Sequence, residues 1–359
     1  MKLLGVEAAR GFAALLVVFV HASGMLATSK YFGRMPFAGV FKFGHAGVDF
    51  FFVLSGFIIY YVHAHEIGRP DRLGSFAWKR FVRIFPTYWV VLAAMGALLV
   101  VSPTADRSEQ QLGNVVTSVL LLPWPVGPIL QVAWSLKHEM IFYLLFGLLF
   151  LHRLLGQTVL AVWALLIGWN IAVSWVTGAP YFDGVLGDVV FRIFNIQFFV
   201  GIGVAHALLA RRIWWPRLAA VLGATLFLAV GLHESWGPYY RPEYPPRHIG
   251  YTIGAGLLLY GLAGAELTGR LRVPRMLVAL GSASYSLYLV HVLVILVLQQ
   301  VLLLMRPYVV LTAELWFIVF VAVPIFAALA FTRTVEKPLL GLLRRRRPRP
   351  VIPAAAIDP

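Results

Sequence analysis

The sequence predicts an all-α protein, a polytopic bundle of about ten transmembrane helices with both termini in the cytoplasm. Of its 359 residues, 60% are apolar or aromatic and only 13% are charged, whereas globular domains are about 25% charged. Apolar runs of about 20 residues, the length that crosses a bilayer, recur from end to end. Most of the 30 lysines and arginines fall in alternate connecting segments, as expected when cytoplasmic loops collect positive charge.

The predicted spans follow the apolar runs in chain order. They are 9–27, 45–63, 84–102, 139–152, 157–176, 190–210, 216–232, 249–266, 283–304 and 310–332. A further apolar segment at 113–123 is too short to cross, so we expect it to lie at the interface or to re-enter the membrane. Arg10 interrupts the first apolar run, which favours an uncleaved first helix over a signal peptide.

The spans predict one membrane domain, 1–340, followed by a basic, proline-rich cytoplasmic tail, 341–359, that we expect to be disordered. The net charge is +15, and its place in short loops and in the tail favours membrane lipids over nucleic acid as the partner. The chain has no cysteine, which excludes disulfides, thiolate catalysis and cysteine-ligated metals. We predict no metal and no bound cofactor.

Two ionisable residues, Arg10 and His21, lie in the first span. Eleven residues turn a helix by about 1100° and advance it by about 16 Å, so both side chains share one face. An ionisable group inside the membrane costs about 2.5 kcal/mol or more unless it faces a polar cavity, which favours a functional role. A structural alternative stays open, in which a neutral His21 links two helices by hydrogen bonds.

Further ionisable residues follow in the later spans. His45 and Asp49 are four apart and share one helical face near the outer end of the second span. Arg80 and Arg83 are three apart at the inner end of the third span. Two guanidinium groups on one face suit phosphate, although positive-inside anchoring explains them as well. Glu139 begins the fourth span, where a carboxylate can orient an imidazole or hold a hydroxyl.

The ninth span carries a second buried histidine. His291 lies at mid-depth in "SYSLYLVHVLVI", and Ser284 precedes it by seven residues on nearly the same face. The predicted intramembrane polar groups therefore come from at least five different spans.

Taken in this order, the motifs resemble the acyltransferase-3 family of integral membrane acyltransferases, and most closely its exopolysaccharide and O-antigen O-acetyltransferases. The resemblance runs from about Gly5 to Pro338. It is carried by Arg10 with His21, "GVDFFFVLSGF", Arg80 and Arg83 before "IFPTYW", "WSLKHEMIFYLLF", "SYSLYLVH" and "VEKP".

The resemblance implies that a cytoplasmic acyl-CoA, usually acetyl-CoA, is the acyl donor and co-substrate. It implies a carbohydrate acceptor, such as lipid-linked lipopolysaccharide or exopolysaccharide, at the outer face of the bacterial inner membrane, with glycan assembly or export proteins as further partners. It assigns Arg10, Arg80 and Arg83 to the donor. It makes His21 the catalytic residue, either as the base that deprotonates the acceptor hydroxyl or as a covalent acyl carrier.

A histidine base commonly needs an acceptor that orients its ring. Glu139 and Asp49 are equal candidates for that role, and His291 is a third. The residues that we expect to line the cavity or contact the acceptor are His45, Ser284, Tyr285 and His291.

Two other functions compete with this interpretation. A carrier or flippase for a lipid-linked glycan would use buried histidine and carboxylate groups as a proton relay. An acyltransferase of the same type would act instead on a small-molecule hydroxyl, such as that of a macrolide. Consumption of acetyl-CoA separates the carrier from the enzyme, and the identity of the acceptor separates the two enzymes.

Overall fold

The structure is a computed structural model that describes residues 3–101, 111–237, 245–269, 271–305 and 312–345. All regular structure in these ranges is helical, which confirms the predicted all-α class. The α-helices are α1 (Leu4–Leu26), α2 (Ala46–His63), α3 (Leu73–Val101), α4 (Leu112–Leu120), α5 (Trp134–Leu151), α6 (Arg153–Thr177), α7 (Gly184–Val190), α8 (Phe194–Leu209), α9 (Pro216–Trp236), α10 (Pro245–Leu267), α11 (Arg275–Ser282), α12 (Ser284–Met305), α13 (Ala313–Phe331) and α14 (Lys337–Arg345).

Within the described ranges, nine helical segments are long and apolar enough to cross a membrane. α10 has 23 residues, the length of a tenth span, and it packs along α9. The predicted all-α polytopic bundle is therefore confirmed, with nine candidate spans in the described residues where the sequence predicted about ten. Which side of the membrane holds the termini stays a prediction.

The short segment at 113–123 forms α4, whose nine residues cannot cross a bilayer. α4 ends at Leu121, which adopts a left-handed conformation. Side chains of α3 hold it in place, because Tyr88 Oη donates to the carbonyl of Ser118 at 2.7 Å and Trp89 Nε1 donates to that of Val119 at 2.9 Å. The segment therefore packs against the bundle without spanning it.

α1 lies among α2, α10, α11, α12 and α13 and has small residues where these helices approach. A Cβ atom added at Gly47 of α2 would collide with the carbonyl oxygen of Ala13 in α1. Such contacts between small residues let helix backbones pack closely in a membrane. The first turn of α1 is capped from α10, since Glu266 accepts hydrogen bonds from the amides of Leu4 at 2.6 Å and Gly5 at 2.8 Å.

A π-helical turn joins α13 to α14. α13 passes into this turn at Thr332–Glu336 and continues as α14 to Arg345. The first residues of the predicted tail, 341–345, are therefore helical. Residues 346–359 lie outside the described ranges, so the disorder expected there stays a prediction.

Candidate functional site

A cavity of about 610 Å³ lies between α1, α2, α3, α5 and α12. Along α2 it extends from Ile59 to Val48, about 16 Å at 1.5 Å per residue. It therefore covers roughly half of the apolar thickness of about 30 Å. The polar residues that line it are Arg10, Ser55, Lys79, Arg80, Arg83, Ser135, Glu139, Tyr143, Ser284, Tyr285 and Tyr288.

Six of the residues proposed from the sequence line this one cavity. They are Arg10, Arg80, Arg83, Glu139, Ser284 and Tyr285. They come from α1, α3, α5 and α12, so helix packing brings together side chains that are far apart in the chain.

Arg10 connects α1 to α12, because its Nε atom donates to Ser284 Oγ at 2.9 Å. Glu139 has its own partners: it accepts a hydrogen bond from Ser55 Oγ of α2 at 2.9 Å and a short one from the hydroxyl of Tyr143, one turn later in α5. Both hydrogen-bond partners of Glu139 therefore also line the cavity.

Arg80 and Arg83 each lie against an aromatic ring. The guanidinium carbon of Arg80 is 5.7 Å from the ring centroid of Tyr143, and that of Arg83 is 4.8 Å from the centroid of Tyr285. Both distances are within the range of cation–π attraction. The rings therefore help to hold both guanidinium groups at the cavity.

Glu336 was not among the site residues predicted from the sequence. Glu336 is 2% exposed and forms an ion pair with Arg83 Nη1 at 3.1 Å. Ser286 Oγ also donates to it, at 2.5 Å. π-helical turns often occur at functional sites, and the one at Thr332–Glu336 carries this carboxylate. Glu336 is the glutamate of the "VEKP" motif, and its place in that motif was the signal that could have indicated it.

His21 and His291 form a pair beside the cavity. Nε2 of His291 is 3.3 Å from Nδ1 of His21, and the ring centroids are 5.0 Å apart. Each Nδ1 also lies close to a carbonyl of its own helix, that of Val17 at 2.7 Å for His21 and that of Leu287 at 2.9 Å for His291. Since a carbonyl only accepts, both neutral rings carry their proton on Nδ1. The lone pair of His21 then lies on Nε2, which forms no hydrogen bond with the described residues.

Tyr288 lies between the cavity and this histidine pair. It lines the cavity, and its ring centroid is 6.1 Å from that of His291. Tyr288 and His291 are three positions apart in α12, a rise of about 4.5 Å. The hydroxyl of Tyr288 donates to the carbonyl of Val132 at 2.8 Å and is 2.6 Å from Ser135 Oγ. Neither histidine lines the cavity itself, so the pair lies just beyond its Tyr288 end.

Asp49 does not lie against His21. The prediction that Asp49 orients the His21 ring is therefore wrong. Its Oδ1 atom accepts from Gln197 Nε2 at 2.5 Å and pairs with His248 Nδ1 at 2.8 Å. The physical reason is the direction of its helical face, which points to α8 and α10 and away from α1. Glu139 does not contact His21 either. Of the three predicted orienting partners, only His291 contacts His21.

His45 also belongs to a different cluster from the cavity. Its Nε2 atom lies 2.8 Å from Glu234 of α9. The same carboxylate accepts from Arg247 at 2.6 Å and from Tyr251 at 2.6 Å. The expectation that His45 lines the cavity is wrong, because its side chain faces α9 and α10.

Comparison with known proteins then tests the resemblance. A family profile described as an acyltransferase domain matches residues 3–333. The chain belongs to the acyltransferase-3 family. Because it also has nine candidate membrane spans in its described residues, the protein is a multi-pass membrane acyltransferase. No solved structure matches the chain.

Two curated relatives show how far the similarity extends. The exopolysaccharide production protein ExoZ of Rhizobium meliloti is 30% identical over 272 residues, covering 72% of this chain and 79% of ExoZ. The acyltransferase MdmB of Streptomyces mycarofaciens is 27% identical over 390 residues, covering 100% of this chain and 97% of MdmB. The family resemblance stated from the motifs is confirmed.

Proposed function

We propose that this acyltransferase moves an acyl group, acetyl in the first instance, from cytoplasmic acyl-CoA to a hydroxyl of a cell-surface or exported carbohydrate. One observation carries the proposal: four cationic side chains line a cavity whose other end approaches a histidine pair. Those residues are Lys79, Arg80, Arg83 and Arg10. Coenzyme A is rich in phosphate, and guanidinium groups bind phosphate with paired hydrogen bonds.

The depth of the charged groups supports entry of the donor from the cytoplasm. Lys79 and Arg80 lie near the start of α3, within the segment 64–83 whose five lysines and arginines favour the cytoplasmic side. The histidine pair lies further along α1 and α12, toward the opposite face. A donor that enters from inside and an acceptor that enters from outside would meet near His21.

Chemistry at His21 follows from its hydrogen bonds. Val17 and His291 hold the Nδ1–H group, so Nε2 is free to take the proton of the acceptor hydroxyl as the oxygen attacks the thioester carbon. The C–O bond forms, the C–S bond breaks, and the proton passes from Nε2 to the departing CoA thiolate. In the covalent alternative, Nε2 attacks the thioester carbon, the C–S bond breaks and CoA leaves as a thiolate. The acceptor oxygen then attacks the acyl-imidazole, the N–C bond breaks, and the hydroxyl proton passes to the thiolate.

One relative supports a carbohydrate acceptor, and the location proposed with it is the bacterial inner membrane. ExoZ is named for exopolysaccharide production. The chain matches 79% of the length of ExoZ. The acceptor proposed here is therefore a hydroxyl of such a glycan, with its assembly or export proteins as partners.

The proposal is tested by NMR analysis of acyl groups on the lipid-linked and exported glycans of the source cell. Three strains are compared: wild type, a deletion, and the deletion complemented with His21→Ala protein that is shown to reach the membrane. We expect one O-acyl signal to disappear in both mutant strains while the amount of glycan stays constant. Reduced glycan export with intact acylation would overturn the proposal in favour of a carrier.

A further inference from the structure

His21 has exposed surface that the cavity between α1, α2, α3, α5 and α12 does not account for. His21 is partly exposed, whereas its partner His291 is 0% exposed. Neither histidine lines that cavity, which we call the donor cavity. The exposed part of His21 therefore faces a second opening, separate from the one that holds the arginines.

One stripe of α1 shows where this opening leads. Positions 14, 18, 21, 25 and 28 follow at intervals of three or four and share one helical face. Ala14 and Val18 are fully buried, His21 and Met25 are partly exposed, and Thr28 is exposed. The charge distribution predicts that α1 runs outward. The opening therefore widens from His21 toward the outer face.

Gln299 of α12 lies beside this opening. It follows His291 by eight residues, about 12 Å along the helix axis, and it is 8% exposed. Its Nε2 atom donates to the thioether sulfur of Met25 at 2.9 Å. Met25 is one turn beyond His21 in α1, so the buried amide reaches the stripe that carries the candidate catalytic ring.

The amide of Gln299 uses little of its hydrogen-bonding capacity. A glutamine side chain has two N–H donors and a carbonyl oxygen with two lone pairs, and a thioether is a weak acceptor. In the part of the chain that the structure describes, this side chain forms no second hydrogen bond. Polar side chains that join membrane helices pair with other polar groups, and Met25 is not one. The amide lacks a partner that both donates and accepts, which is the chemistry of a hydroxyl group.

We propose that Gln299 binds hydroxyl groups of the carbohydrate acceptor and holds the sugar in place at His21. The carbonyl oxygen accepts from one hydroxyl, and the amide donates to the oxygen of its neighbour in place of the Met25 sulfur. The methionine side chain is unbranched and flexible, so it can move aside. One helical turn, about 5.4 Å, separates Met25 from His21, a distance that one sugar residue can bridge.

The inference rests on the proposed function, in that the acceptor is a carbohydrate that approaches His21 from the outer face. It adds a residue that recognises the acceptor to the residues assigned to the donor. Gln299 is a positioning residue for the attacking hydroxyl, since it contacts other hydroxyls of the same sugar.

The test uses purified protein in nanodiscs with acetyl-CoA as the donor. The acceptor probe is the lipid-linked glycan fraction extracted from the deletion strain, which this enzyme has not acylated. Released CoA is measured with a thiol reagent, and the protein gives no background because it has no cysteine. The variants are Gln299→Leu and Gln299→Glu. Gln300→Leu, at the exposed glutamine next in α12, is the matched control.

Loss of the amide should act on the acceptor and spare the donor. In Gln299→Leu, kcat/KM for the glycan fraction should fall by about tenfold, because hydrogen bonds to two hydroxyls are lost. The KM for acetyl-CoA and the binding of radiolabelled CoA should stay within about twofold of wild type, since the donor cavity is unchanged. Gln299→Glu keeps the length and a carboxyl oxygen and should recover part of the activity. Gln300→Leu should behave as wild type.

Protein stability separates this role from a structural one. The unfolding temperature of Gln299→Leu should not fall, because an apolar side chain replaces an amide whose described hydrogen bond is to sulfur. A lower unfolding temperature with an unchanged kcat/KM for the glycan fraction would overturn the assignment, as would equal losses for donor and acceptor. Wild-type protein that binds CoA but transfers no acetyl group to the glycan fraction would remove the proposed function and this assignment with it.

Discussion

Nε2 of His291 lies 3.3 Å from Nδ1 of His21, across two helices whose residues are 270 positions apart in the chain. Both rings are also held by carbonyls of their own helices. The pair therefore presents Nε2 of His21 as a lone-pair donor of fixed orientation. His291, rather than a carboxylate, lies against the candidate catalytic ring.

Replacing His21 with Ala should lower acyl transfer by about 10²-fold to 10⁴-fold, the usual contribution of a general base. The loss should appear in kcat, because the cavity that binds the donor is unchanged. Transfer is measured with acetyl-CoA in isolated membranes, with protein level checked by immunoblot. His65→Ala removes an exposed histidine and serves as the control. Retained turnover in His21→Ala would exclude a catalytic role.

Replacing His291 with Ala should have a smaller effect than the loss of His21. One of the two acceptors at His21 Nδ1 disappears while the Val17 carbonyl remains, so about 1 kcal/mol of orientation is lost, which corresponds to roughly fivefold to tenfold in kcat. His291→Gln, which keeps an acceptor, should recover part of the rate. In the double variant the loss should equal that of His21→Ala alone. Additive losses would mean that His291 acts independently.

Replacing Glu336 with Gln should impair donor use through Arg83. The change removes the charge that holds the guanidinium group, and we expect the KM for acetyl-CoA to rise by about tenfold with a smaller change in kcat. A double-mutant cycle with Arg83→Gln measures the coupling, because residues in one ion pair give non-additive effects. Strictly additive effects would show that Glu336 acts through another residue.

Gly201 should not tolerate a side chain. A Cβ atom there would collide with the carbonyl oxygen of Val53, where α8 meets α2. Gly201→Ala should therefore lower stability by about 1 to 3 kcal/mol, seen as a lower unfolding temperature in detergent. Gly203, in the same helix, has no atom within 4 Å of its added Cβ and is the matched control. Equal unfolding temperatures for the two variants would contradict the close packing of α2 and α8.

Replacing Asp49 with Ala should affect stability rather than chemistry. Gln197 Nε2 would lose one acceptor, and His248 Nδ1 would lose its partner, at a cost of about 1 to 3 kcal/mol each when buried. The unfolding temperature should fall, while the affinity for CoA measured on the folded protein stays the same. A specific loss of kcat in a protein of unchanged stability would return Asp49 to the catalytic residues.

The sequence determined which segments are helices and what they carry. Hydropathy is a local property, so the apolar runs predicted the spans, and the order of short motifs predicted the family. Helical periodicity placed Arg10 with His21, and Arg80 with Arg83, on common faces. The sequence also predicted the donor residues, because arginines at the inner end of a span can be identified without a structure.

Only the tertiary structure decided which groups meet. Arg83 and Glu336 are 253 residues apart, and Asp49 meets His248 from a helix that the sequence did not connect with it. Lipid is as apolar as the helix surfaces, so hydrophobicity does not choose helix partners in a membrane. That choice rests on small-residue contacts and polar pairs between helices, such as Gly201 against Val53 and His21 against His291. The sequence therefore determined the spans and the chemistry of the side chains. Only the packing of the helices placed His291 against His21 and Glu336 against Arg83.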